Sequence, residues 1–219
     1  MKLNLVKLPT TTRGIYGPNK DQLGANQRWA HPDLAEILAR LVDARIDLRF
    51  SDIYRSAKSS QARRAEFAAT GDAQLAKRPG ESPHNYGLAV DLDVSAALAD
   101  NHTNKKGLDL ALQNYGLHCH RLDHDLGAEC WHYNALGPNA SQWTRSSSSK
   151  STSRAIEAKI ASIYDEAWKL TPEEIRAALK LVGVKNVREF QAGWDLEVDG
   201  IAGPKTQRLL SYLTAETPF

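Results

Sequence analysis

From Gln142 to Ser153 the chain reads Gln-Trp-Thr-Arg-Ser-Ser-Ser-Ser-Lys-Ser-Thr-Ser, and small polar residues replace any hydrophobic periodicity. Such a run buries too little apolar surface to offset the entropy of ordering it, so it reads as a linker. The 219 residues therefore split into a segment over 1–140, a linker over 141–154 and a segment over 155–219, each of which must close its own core. A mean hydropathy of −0.48 with 25% charged residues belongs to globular domains in water. No stretch approaches the roughly 18 consecutive apolar residues of a membrane helix, so membrane insertion is not expected. Met1 to Pro9 is interrupted by polar residues and lacks the apolar segment of about 7–15 residues that a secretory signal needs. The expectation is accumulation in the cytoplasm where the chain is made.

The net charge of +2 hides a split, with 19 basic and 16 acidic side chains in residues 1–150 against 9 and 10 in 151–219. Neither part carries the positive excess that a nucleic-acid partner would call for. Cys119 and Cys130 are the only cysteines, too few for a disulfide-built scaffold, and two reduced thiols are expected.

Within 1–140, His31-Pro32-Asp33 opens a helix in which Leu34, Ile37, Leu38, Leu41, Val42 and Ile46 recur at helical spacing as a core face. Leu48 to Tyr54 alternates with period two and reads as a strand, and a polar helix follows from about Ser59 to Ala69, stopping at Gly71. Residues 72–83 read as a long loop. A second strand is expected over Leu88–Leu92, a helix over Leu108–Tyr115, and a closing strand pair around Leu117–Arg121 and Cys130–Asn134. Helices and strands alternate without a regular βαβ repeat, which points to an α+β fold with a small antiparallel sheet and flanking helices.

The chemistry concentrates in Ser82-Pro83-His84-Asn85-Tyr86-Gly87-Leu88-Ala89-Val90-Asp91 and in Glu129-Cys130-Trp131-His132. His84, Asp91 and His132 would supply two imidazoles and a carboxylate, a set that suits Zn²⁺ and leaves a fourth tetrahedral position open. Positions seven apart point oppositely in a straight strand, so His84 must sit in the loop before the strand, with Gly87 as the place where the chain bends. By the same parity Glu129 belongs in the turn before the strand that carries His132. From there it could take a proton from water activated by the ion and return it to a leaving amine. Spacing alone leaves scattered polar residues near a strand end as an equal alternative.

The pattern Ser-x-His-x-x-Gly-x-Ala-x-Asp at Ser82, His84, Gly87, Ala89 and Asp91, followed by Glu-x-Trp-His at Glu129, Trp131 and His132, resembles the D-Ala-D-Ala carboxypeptidase and L-alanyl-D-glutamate endopeptidase family of zinc peptidases. With Tyr54-Arg55-Ser56, Gln61 and Tyr115-Gly116 the resemblance spans roughly residues 30–135. It implies that His84, Asp91 and His132 bind zinc, that Glu129 is the catalytic base, and that Arg55 contacts substrate together with Ser82 and Gln61. The implied substrate is the stem peptide of bacterial peptidoglycan, cut between L-Ala and D-Glu by a phage endolysin acting as a monomer after release from the cytoplasm. Trimming of terminal D-Ala by a carboxypeptidase and non-catalytic wall binding are the alternatives. Cys130 stands where the family often has Trp and Leu117 where Phe is usual, departures that bear on packing more than on ligation.

Arg55 has a physical use in such a site, because a guanidinium holds a carboxylate or oxyanion through two parallel hydrogen bonds. Ser82 could bond substrate or cap its loop. Asp93 could support a ligand histidine or cap a helix. The run His118 to Asp125 is dense in metal-binding side chains but reads as a polar hairpin tip.

In the third segment a helix is expected over Ala155–Leu170 and a second from Thr171-Pro172-Glu173-Glu174, with Pro at the first helical position. Asp199-Gly200-Ile201-Ala202-Gly203-Pro204-Lys205-Thr206 resembles the helical peptidoglycan-binding domain attached to many wall hydrolases, which implies a three-helix all-α unit. Leu209, Leu210 and Leu213 would close its core, and Trp194 reads as core before it reads as a sugar-stacking surface.

Overall fold

The computed structural model describes residues 3, 5–9, 12–14, 27–71, 77–119, 129–135 and 169–214. The linker, residues 155–168 of the first expected C-terminal helix, and His120 to Asp125 lie outside them. In chain order the elements are β1 (Val6–Lys7), β2 (Trp29–Ala30), α1 (Pro32–Asp43), β3 (Phe50–Asp52), α2 (Ala57–Ala69), a 3-10 turn (Pro83–Tyr86), β4 (Ala89–Leu92), α3 (Val94–Asp100), α4 (Lys105–Asn114), β5 (Leu117–Cys119), β6 (His132–Ala135), α5 (Pro172–Leu181), α6 (Val187–Gly193) and α7 (Pro204–Thr214). The chain forms two compact units, one of Asn4–Arg55 with Tyr86–Lys159, the other of Met1–Leu3, Ser56–Asn85 and Ile160–Phe219.

The first unit is built on a four-stranded antiparallel sheet in the order β3-β4-β6-β5, with β1 and β2 pairing separately. Val90 opposes Tyr133, Tyr133 opposes Cys119 and Leu117 opposes Ala135, so these buried side chains share one face. The other face carries Asp91, His132, Asn134 and His118. The α+β class expected from the sequence is the one observed.

Helix α1 starts where Pro32 tolerates the missing N–H and the His31 ring accepts from the Asp33 amide at 3.3 Å. Leu34, Ile37, Leu38 and Leu41 are buried on one face, whereas Val42 is 74% exposed. About 100° further round than Leu41, Val42 falls past the edge of the buried arc, and Ile46 lies beyond the helix end. Strand β3 is shorter than the run Leu48–Tyr54, although Leu48, Ile53 and Tyr54 are buried beside it. Helix α3 begins at Val94, where the Asp93 carboxylate accepts from the Ala96 amide at 3.0 Å. Asp93 is thus a helix cap.

Helix α4 is fixed to the sheet by a buried polar group. Lys105 Nζ donates to both Asp109 oxygens at 2.6 and 2.7 Å, and Tyr133 Oη donates to Asp109 at 2.6 Å. The ammonium also lies 5.3 Å from the Tyr133 ring centroid, so its charge is met by a carboxylate and a π face. Burial and the Asp109 acceptor push the Tyr133 hydroxyl well above its ordinary pKa and keep it protonated as a donor. Cys119 and Cys130 are buried free thiols.

In the second unit α2 starts at Ser56, whose side chain accepts from the Ser59 amide. Helix α5 carries a reciprocal capping box between Thr171 and Glu174. Ala178, Leu179, Phe190, Leu209 and Leu210 form a compact core, with Leu213 and Trp194 packed against it. The Trp194 ring tilts on Phe190 at 6.2 Å between centroids, so it serves packing. The Asp199-Gly200 turn is held by Gln191, which donates to Asp199 at 2.7 Å and accepts from the Gly200 amide at 2.8 Å.

Asp109→Ala leaves Lys105 buried without its counter-charge and should destabilise the protein by about 3–5 kcal/mol in urea unfolding. His118 is 1% exposed and neither ring nitrogen has a partner among the described residues, so burial lowers its pKa from 6.5 to about 4. A depressed histidine binds its proton in the unfolded chain first. Stability therefore falls as pH drops through the window from 6.5 to about 4, by about 3 kcal/mol in all, and His118→Leu should flatten that slope in pH-dependent thermal melts.

Candidate metal centre

Strands β4 and β6 pair in a register that sets Asp91 directly opposite His132, and cross-strand partners share a face. His84 reaches the same place from outside the sheet, on the 3-10 turn that precedes β4. Between them Gly87 adopts φ +65°, and a Cβ there would stand 2.7 Å from the His31 nitrogen and 2.9 Å from Ala30 Cα. The bend needs a residue with no side chain, for conformation and for space. One ligand atom from each of His84, Asp91 and His132 lies within 4.8 Å of the other two, the one such group among the described residues.

The hydrogen bonds of His132 bear on whether these residues fit a cation. Its Nε2 faces the Asn134 amide oxygen at 3.2 Å, and its Nδ1 faces Asp91 Oδ1 at 2.9 Å. An amide oxygen only accepts, so the Asn134 contact calls for hydrogen on Nε2; Nδ1 then donates to Asp91 when the ring is charged and, when it is neutral, offers its lone pair to a cation shared with that carboxylate. Together with His84 they form a nitrogen–oxygen–nitrogen donor set of the kind a borderline divalent ion takes, and the residues fit one.

Arg55 lies against the same group. Its Nε donates to Asp52 Oδ2 at 2.9 Å, Nη2 also bonds that oxygen, and Nη2 stands 3.8 Å from Asp91 Oδ2. A register shift in β3 makes this arrangement. Phe50 opposes Leu92 while Asp52 opposes Asp91, so a bulge turns Phe50 to the core and Asp52 toward Asp91. Ser51 Oγ adds a bond to the Asp91 carbonyl at 3.3 Å.

Glu129 occupies the turn before β6 at φ +60°, exposed, with its carbonyl accepting from the His132 amide at 3.1 Å. It is off the strand, as parity requires. Ser82 is buried, its amide donating to Asn85 Oδ1 at 3.2 Å, and Gln61 is exposed on α2. Of the run His118 to Asp125, only His118 and Cys119 are described, and both are buried in β5. Asp52 and Asn134 escaped sequence reasoning. Each left a signal: Asp52 stands three before Arg55, and Asn134 two after His132 on the same strand face.

No family model and no curated protein matches the chain. Among solved structures it is similar to that of the LdcB LD-carboxypeptidase, described as revealing the molecular basis of peptidoglycan recognition, at TM-score 0.50 and 18% identity over 72% of this chain and 77% of that one. It also matches a mutant of the vancomycin-resistance D,D-pentapeptidase VanY in complex with Zn(II), at TM-score 0.44 and 21% identity over 70% and 93%. At these identities the LdcB likeness establishes a shared fold.

Asn134→Leu removes the acceptor that sets the His132 tautomer. Zinc affinity measured by chelator competition should fall roughly 10–100-fold, with the far-ultraviolet circular dichroism unchanged.

Proposed function

We propose that the chain is a zinc-dependent peptidase of bacterial peptidoglycan stem peptides. More narrowly, we read it as an endopeptidase that cuts between L-Ala and D-Glu, of the type found in phage endolysins, with residues 155–219 binding the wall. The convergence of His84, Asp91 and His132 within 4.8 Å carries this reading. The motif resemblance and the shared fold with LdcB support it. In the endolysin reading the monomeric protein stays in the cytoplasm of the producing cell until release.

Zinc, when bound, supplies a Lewis acid that polarises a carbonyl and brings the pKa of a water down to about 7. Glu129, exposed in its turn, accepts the proton of the attacking water and delivers it to the departing amine. Arg55, oriented by Asp52, holds negative charge on the substrate or on the developing oxyanion. Ser82 and Gln61 complete the substrate contacts. Asn134 keeps the His132 ring turned and protonated at Nε2.

One observation favours a second reading, a carboxypeptidase that trims the stem peptide: the solved fold neighbour LdcB is itself an LD-carboxypeptidase. A carboxypeptidase must bind a free terminal carboxylate, and Arg55 is a cation beside the ligands. Digestion of purified sacculi separates the two, since new L-Ala carboxyl and D-Glu amino ends mark internal cleavage and free D-Ala marks trimming. Glu129→Ala should lower hydrolysis at least about 100-fold while sacculi are still bound in a pelleting assay. Unchanged hydrolysis in that variant would remove Glu129 from the mechanism, and wild-type protein that pellets with sacculi without cutting them would leave only a wall-binding role.

A further inference from the structure

We propose that helix α7 helps to hold the metal-ligand loop, with Tyr212 acting as a positioning residue for His84 through Asn85. The proposal rests on the reading of His84 as a ligand. Asn85 follows His84 in the 3-10 turn and is fully buried. Its amide oxygen accepts from the Gly80 amide at 2.8 Å and the Ser82 amide at 3.2 Å. Its amide nitrogen donates to Ser60 Oγ at 2.8 Å and to Tyr212 Oη at 3.1 Å. Both lone pairs and both N–H groups are therefore used, and they join α2, the loop before the turn, and α7 at the residue next to a ligand.

The backbone contact agrees with this. Gly80 adopts φ +82°, and a Cβ there would lie 3.2 Å from Tyr212 Cβ and 3.4 Å from Leu209 Cα, so the loop rests directly on the helix. Arg78, at the start of the same loop, donates to Glu81 at 3.2 Å and to Asp195, in the turn after α6, at 2.9 Å. The C-terminal helical segment thus has a second use besides any wall binding. A buried amide N–H that loses its acceptor is costly, and the loop relieves that cost by moving, which takes His84 with it.

The test uses the full chain and four variants: Tyr212→Phe, Asn85→Ala, the double variant, and Leu179→Ala, which disturbs the same helical core without touching Asn85. Zinc dissociation constants come from chelator competition, and melting temperatures of the metal-free proteins are recorded alongside. Tyr212→Phe should weaken zinc binding about tenfold. Asn85→Ala should weaken it by as much or more, the double variant should match Asn85→Ala, and Leu179→Ala should melt earlier with zinc affinity unchanged. Hydrolysis by Tyr212→Phe should recover at saturating zinc. Zinc affinity within twofold of wild type in Tyr212→Phe, or an equal loss in Leu179→Ala, would overturn the proposal. A wild-type protein whose zinc affinity is indifferent to His84→Ala would instead overturn the metal reading on which it rests.

Discussion

The pairing of β4 with β6 is the constraint on which the rest depends. Setting Asp91 opposite His132 brings an oxygen and a nitrogen donor to one face of the sheet, and it does so only in that register. A slip of one residue would turn one of the two side chains into the core. The register is held from the opposite face, where Val90 opposes Tyr133 and Tyr133 opposes Cys119. Apolar packing on one side thereby fixes the alignment of polar donors on the other.

Tyr133 links that packing to a charge. Its hydroxyl ends on Asp109, which also neutralises the buried Lys105, so the central strand and α4 are joined through one carboxylate. A buried ion pair of this kind adds little net stability compared with a well-packed apolar core. What it does contribute is directional: an ammonium, a carboxylate and a phenol satisfy one another in few arrangements, whereas leucines could slide. The same division recurs at Asn85, whose four hydrogen bonds leave its turn little freedom.

The convergence of His84, Asp91 and His132 was anticipated chiefly from the motif resemblance, since spacing alone left it open; what local rules did give was His84 off the strand, by period two and the glycine at the bend. The placement of Glu129 in a turn followed from the same parity. Val42 was misplaced because periodicity says which residues could share a face and not how wide the buried arc is. The bulge in β3 was hidden for a different reason. Phe50 and Asp52 have the spacing of residues on one face, and only the pairing with Leu92 and Asp91 shows that they do not share it. Asp52 could therefore not be connected with Asp91 from spacing, although its proximity to Arg55 in the chain was visible. Asn85 was out of reach altogether, since its partners stand as far away as position 212.

The Asp52–Arg55–Asp91 arrangement also bears on how a metal could be held without being held too tightly. Asp91 shares its negative charge between Nη2 of Arg55 near Oδ2 and whatever cation joins Oδ1 to His132. A carboxylate already facing a guanidinium is a weaker donor than a free one, which leaves more positive character on the ion. Lewis acidity rises as the ligands give less. Asp52 opposes this by drawing the guanidinium toward itself through Nε and Nη2. The bulge that turns Asp52 toward Asp91 thus does more than orient Arg55: it sets how much of that cation's field the Asp91 carboxylate feels.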